Sequence, residues 1–121
     1  MKRGIVMDEE LNQAIVEARH LIEKKEFKDC ESLLRKLMSE FPDNAVPHNL
    51  MGLLYEKKND HIGAMKHFRA AWALDPTYRP ALMNLDNFGQ MFADKTFIFG
   101  EDTEEPQEKK RKQGRREKGT C

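Results

Sequence analysis

Pro42 and Pro76 stand 34 residues apart, and each closes a similar phrase, Glu40-Phe41-Pro42-Asp43 and Leu74-Asp75-Pro76-Thr77. Inside a helix a proline removes an N–H and clashes with the preceding turn, so no helix runs through either point. Punctuation at this interval reads as a tandem array of helix pairs, because two short helices and their turns take about that many residues. Such arrays bury a continuous core by stacking, and they present surfaces rather than reaction centres. The expectation is a binding or assembly module.

The residues between the prolines agree. Asp8 suits a helix N-cap with Glu9 and Glu10 behind it, and residues 1–7 read as a flexible lead-in. Leu11, Ala14, Ile15, Ala18, Leu21 and Ile22 recur at helical spacing. A second helix is predicted over 27–38 through Cys30, Leu33, Leu34 and Leu37. Asp43 or Asn44 caps a third, with Pro47 in its first turn and Leu50, Met51, Leu54 and Tyr55 as its stripe. Asn59-Asp60 turns the chain into a fourth, carrying Ala64, Phe68, Ala71 and Trp72. Thr77 caps a fifth, with Pro80 in its first turn and Leu82, Leu85, Phe88 and Phe92 as its stripe. Thr96-Phe97-Ile98-Phe99, before Gly100, is the one strand-like run. The fold class expected is all-α, with a helical domain over 8–92 and an extended, disordered charged tail over 93–121.

The tail hides a charge asymmetry behind a net charge of zero. Glu101 to Glu108 is acidic and Lys109 to Lys118 is basic. The two cysteines, Cys30 in a helical pattern and Cys121 at the end, make neither a disulfide framework nor a zinc spacing. No apolar run approaches the roughly 18 residues a membrane span needs, and the N-terminus lacks a signal-type apolar stretch. A cytoplasmic protein with no membrane association is expected.

The two periods resemble the tetratricopeptide repeat, a family of antiparallel helix pairs A and B. In repeat 45–78, Gly52 stands at the small helix-crossing position and Tyr55 at the aromatic one a turn later. Ala64, Phe68, Ala71 and Pro76 match helix B and its terminal proline. His48 takes the place usually held by Trp, Met51 that of Leu, and His61 an aromatic place in the turn. Repeat 11–44 aligns through Ala14, Ala18, Leu21, Phe27, Cys30, Leu34, Leu37 and Pro42, with Glu17 breaking the pattern. A partial copy over 79–92 starts with Leu82 and Leu85 but has Asp86 and Gly89 where small and aromatic residues belong. The stack is therefore unfinished, and its apolar edge should be covered by Phe97–Phe99, by a second copy in a homodimer, or by a partner.

The resemblance implies a concave groove lined by the A helices. Carried over, its residues are Asn12, Ile15, Arg19, Ile22 and Glu23, then Val46, Asn49, Leu53, Glu56 and Lys57, then Met83, Asn84, Asn87 and Met91. Asparagine amides can both donate to and accept from a peptide backbone, so this lining suits a protein or peptide partner. The carboxylate clamp of the family's chaperone-binding subset is not matched. Its places hold Ile15, Arg19, Leu50, Pro80 and Asn84, of which only Arg19 is charged.

Other chemistry finds little footing. His20, His48, His61 and His67 form no metal-ligand spacing, and packing is the expected role of His48 and His61. Cys30 and Trp72 read as core. No phosphate loop, carboxylate pair or nucleophile constellation stands out, so neither an enzyme nor a cofactor is expected. The alternative reading is a nucleic-acid-associated protein. Lys109, Lys110, Arg111, Lys112, Arg115 and Arg116 would touch phosphates while the repeats dimerise.

Overall fold

The computed structural model describes residues 2–89 and 96–100, with side chains from Glu9 onward. Five helices follow in order: α1 Lys2–Glu23, α2 Phe27–Glu40, α3 Ala45–Lys57, α4 His61–Leu74 and α5 Arg79–Gly89. The fold is all-α, and the described residues include no strand. The tail from residue 101, with the basic run at 109–118, and residues 90–95, with Met91 and Phe92, lie outside them.

The 34-residue period reappears in the backbone itself. Lys25 and Asn59, one period apart, both adopt positive φ, 61° and 67°. The next amides close the same turn, Glu26 N–H onto Leu21 O and Asp60 N–H onto Tyr55 O, both at 2.8 Å. The far helix ends match as well, with Phe41 N–H on Leu37 O and Asp75 N–H on Ala71 O. Pro42 and Pro76 follow directly, where no further helical N–H is needed. Asn44, rather than Asp43, caps α3 by accepting from Val46 N–H at 2.9 Å, and Asp60 caps α4 by accepting from Gly63 N–H at 3.0 Å.

Packing follows the same register. Ala18, Cys30, Leu34 and Leu37 are buried in the first pair, and Gly52, Ala64, Phe68 and Ala71, each 34 residues on, in the second. Gly52 lies against the Phe68 ring, so the absent Cβ is what lets α3 and α4 approach. Each helix packs on its chain neighbour, and α3 also packs on α1 and α5, whereas α2 and α4 do not meet. The odd helices thus make one layer and the even helices the other. α3 is the central element, buried from Ala45 to Leu54 except at His48.

Four expectations are corrected. α1 begins at Lys2, so 2–7 is helical and Asp8 does not start the helix; a good cap favours a start without forcing one, and Gly4 alone costs only about 1 kcal/mol. Thr77 does not cap α5, which starts at Arg79; its hydroxyl and amide both go to Asp75 Oδ1. Trp72 is 46% exposed and Leu82 45% exposed. Trp72 stands one period after half-buried Met38, but no further helix pair follows in the described residues to cover it. Lastly, the folded part does not stop at residue 92. Thr96–Gly100 packs back onto the helices as an extended strap, with Ile98 and Phe99 buried.

Candidate functional site

The strap lies across the layer made by α1, α3 and α5, and side-chain amides hold it. Asn84 Nδ2 donates to Ile98 O at 2.8 Å, and Ile98 N–H donates to Asn84 Oδ1 at 3.0 Å. One amide therefore satisfies both backbone groups of one residue, as a neighbouring strand would. Asn49 Nδ2 donates to the same Ile98 O at 3.2 Å, and Asn87 Nδ2 donates to Thr96 O at 3.2 Å. The spacing explains why α5 can do this. Residues three apart on a helix stand about 5–6 Å apart, and carbonyls two apart on an extended chain leave its same side about 7 Å apart.

Asn49 and Asn84 are fully buried, and no other polar or charged side chain belongs to the described core. Burying an amide is costly unless its hydrogen bonds are replaced. Here the network replaces them: Asn84 Nδ2 also donates to Asn49 Oδ1 at 2.8 Å. The orientations are mutually fixed. Ile98 N–H can only donate, so Asn84 Oδ1 must face it, and Asn84 Nδ2 then needs an acceptor from Asn49.

Apolar contacts fill the rest. Phe97 meets Phe88 edge-on, with ring centroids 5.4 Å apart and planes at 80°, and Phe88 stacks on Phe68 at 5.9 Å. Arg19 holds its guanidinium 5.4 Å from the Phe99 ring centroid while its Nε donates to Glu23 at 3.1 Å. Successive extended residues point to opposite faces, so burial of both Ile98 and Phe99 means the strap is sunk into the helices. At its end Gly100 adopts φ +102°, and the Tyr78 hydroxyl occupies the place a Cβ would take. A side chain has neither the conformation nor the room there.

Of the groove residues expected from sequence, Arg19, Asn49, Asn84 and Asn87 are brought together around the strap. Asn12 and Ile15 line an adjoining cleft of about 390 Å³ with Asn44, Val46, Tyr78 and Gly100. Leu53 is sealed in the core rather than open to a ligand, and Ile22 likewise, while Lys57 is exposed and Met83 half-buried. Phe88 and Tyr78 complete the site. Helical spacing marks Phe88 only as core stripe, and nothing local marks Tyr78.

A second polar cluster joins α3 to α4. His48 Nδ1 and His67 Nδ1 lie 3.2 Å apart, so one ring donates and the other accepts, and Tyr55 packs on His67 at 5.2 Å. Burial pulls both imidazoles below their ordinary pKa, and for His67 the neighbouring His48 adds to it. His61 does not pack as expected. It is exposed, with Nδ1 2.6 Å from Glu56 Oε2, because the turn already closes through Asp60. Among the described residues no three metal-ligating side chains converge. Cys30 donates to Ala18 O at 3.9 Å, and burial, with Glu17 and Glu31 nearby, pushes its thiol up to about 12, far from a reactive thiolate. No helix among the described residues is long and apolar enough to cross a membrane.

No family model, curated protein or solved structure matches the chain.

Proposed function

We propose that this protein is a non-enzymatic interaction module of the tetratricopeptide type, whose α1–α3–α5 face binds a segment of a protein partner in extended conformation. One observation carries the reading. Buried Asn49 and Asn84, with Asn87 beside them, donate to the backbone of an extended segment, and Asn84 also accepts from it. Backbone recognition of this kind tolerates sequence variation and leaves selectivity to the flanking pockets. The repeated backbone turns and the buried pairs one period apart support the family resemblance. The site would act in the cytoplasm, as an adaptor.

A displayed library of random peptides, selected on the full-length protein and counter-selected on its Asn84→Asp variant, tests this. Enriched peptides should bind the native protein and lose binding to the variant. No enrichment, or enrichment indifferent to Asn84, would remove the groove as a binding surface.

A further inference from the structure

We infer that Thr96–Gly100 is a tethered internal ligand of the groove, and that the partner segment replacing it carries the same aromatic–aliphatic–aromatic–glycine pattern. This rests on the groove reading above and adds to it the identity of the ligand class and a built-in competitor.

The hydrogen-bond capacity of the site makes occupancy exclusive. Asn84 has two N–H donors, and both are used, one on Asn49 and one on Ile98 O. Its oxygen accepts from Ile98 N–H, and the Asn49 amide reaches the same carbonyl. A second extended segment cannot reach these amides while the strap holds them. The strap's own side chains then state what the site selects. An aromatic ring at position 97 meets the Phe88 face, an aliphatic chain at 98 is buried, and an aromatic ring at 99 lies under Arg19. Glycine at 100 supplies the positive φ beside Tyr78.

The tether sets the threshold. Six residues, 90–95, join α5 to the strap. Because the strap is covalently joined to α5, its return to the groove is intramolecular and independent of protein concentration. A free segment sees only the fraction of molecules whose strap has left, so its apparent affinity falls by that fraction. The groove is thus reserved for partners that match the pattern better, or reach further along the face toward Asn12 and Asn44, than the strap does.

The test uses full-length protein and a fluorescent peptide of sequence Lys-Thr-Phe-Ile-Phe-Gly-Glu, matching residues 95–101. In Ile98→Asp a carboxylate replaces the buried aliphatic chain and the strap is expelled. This variant should bind the peptide at least about ten-fold more tightly than the native protein. Adding Asn84→Asp should abolish that binding. In the native protein, saturating peptide should accelerate hydrogen exchange at the Ile98 amide. A helical Ile98→Asp protein that ignores the peptide overturns the inference, as do equal affinities of the two proteins. If Ile98→Asp fails to fold, the native Ile98 amide decides alone, and unchanged exchange at saturating peptide overturns the inference. A concentration-dependent dimer of native protein that vanishes in Ile98→Asp also overturns it, in favour of a second copy as the occupant. Library peptides of another pattern that bind through Asn84 while this peptide does not would sink the inference and leave the groove standing.

Discussion

Asn84 on α5 donates to Asn49 on α3 at 2.8 Å, and both side chains are completely buried. Two buried amides in a small helical protein would be a liability if they met only each other, because a pair leaves N–H and C=O capacity unused. Ile98 takes up that capacity, so the strap and the amide pair are stable only together. The strap is the complement of the inner face, and its removal would leave both buried amides short of partners.

Asn84→Asp tests this mutual dependence. Aspartate keeps an acceptor for Ile98 N–H but turns acceptor against acceptor at Asn49 Oδ1 and Ile98 O. Each buried group left unsatisfied costs about 1–3 kcal/mol, so denaturant unfolding should show a loss of at least about 2 kcal/mol. The deficit relative to native protein should shrink at acid pH, where a protonated carboxyl regains a donor.

Gly52 and Gly89 should respond oppositely to the same change. A Cβ on Gly52 would lie 2.6 Å from Phe68 Cδ1 and 2.9 Å from Cζ, inside a ring locked by Phe88. Gly52→Ala should therefore cost about 1–3 kcal/mol in a thermal melt. A Cβ on Gly89 would meet Met65 Cε at an ordinary 3.5 Å. Gly89→Ala, at the last residue of α5, should stabilise by at most about 0.5 kcal/mol through helix propensity.

Gly100→Ala should loosen the strap without unfolding the helices. Its φ of +102° is strained for any residue with a Cβ, and the Tyr78 hydroxyl occupies the space. The local cost of about 1–3 kcal/mol should appear as faster exchange at the Ile98 amide. The helical melt should move far less.

The His48–His67 pair sets a pH dependence. Burial lowers both folded-state pKa values below those of the unfolded chain. Their contribution is fully present above the unfolded value of about 6.5 and is lost as pH falls through the depressed folded values. Melting temperature should drop on acidification from about pH 7 to about pH 5. In His48→Phe that drop should be smaller, since one imidazole no longer has to charge and the other loses its neighbour.

The sequence showed the helices because their signals are local. Pro42, Pro76 and the cap at Asp60 act within a few residues of themselves. Ala18, Cys30, Gly52, Ala64 and Phe68 also recur at a period that only repeated packing explains. The α1 start at Lys2 was misread from Asp8, since a cap signal marks one place a helix can begin. Trp72 was misread as core, because its burial depends on a further helix pair that Arg79–Gly89 does not complete. Asn49, Asn84 and Asn87 stand out in the sequence only through the repeat register, and nothing local marks Asn49 and Asn84 as buried.

By itself, the sequence determined the helices of the described residues and their 34-residue period, and only offered one face of α1, α3 and α5 as an inner surface. These follow from short-range sterics and from periodic placement of small and large side chains. Only the tertiary structure decided that Thr96–Gly100 lies on that face and that its backbone takes the three asparagine amides. A hydrogen bond between residues 49 apart, such as Asn49 to Ile98, leaves no trace in either neighbourhood. It exists because the packed helices bring complementary donors and acceptors to the same buried point, where water cannot replace them.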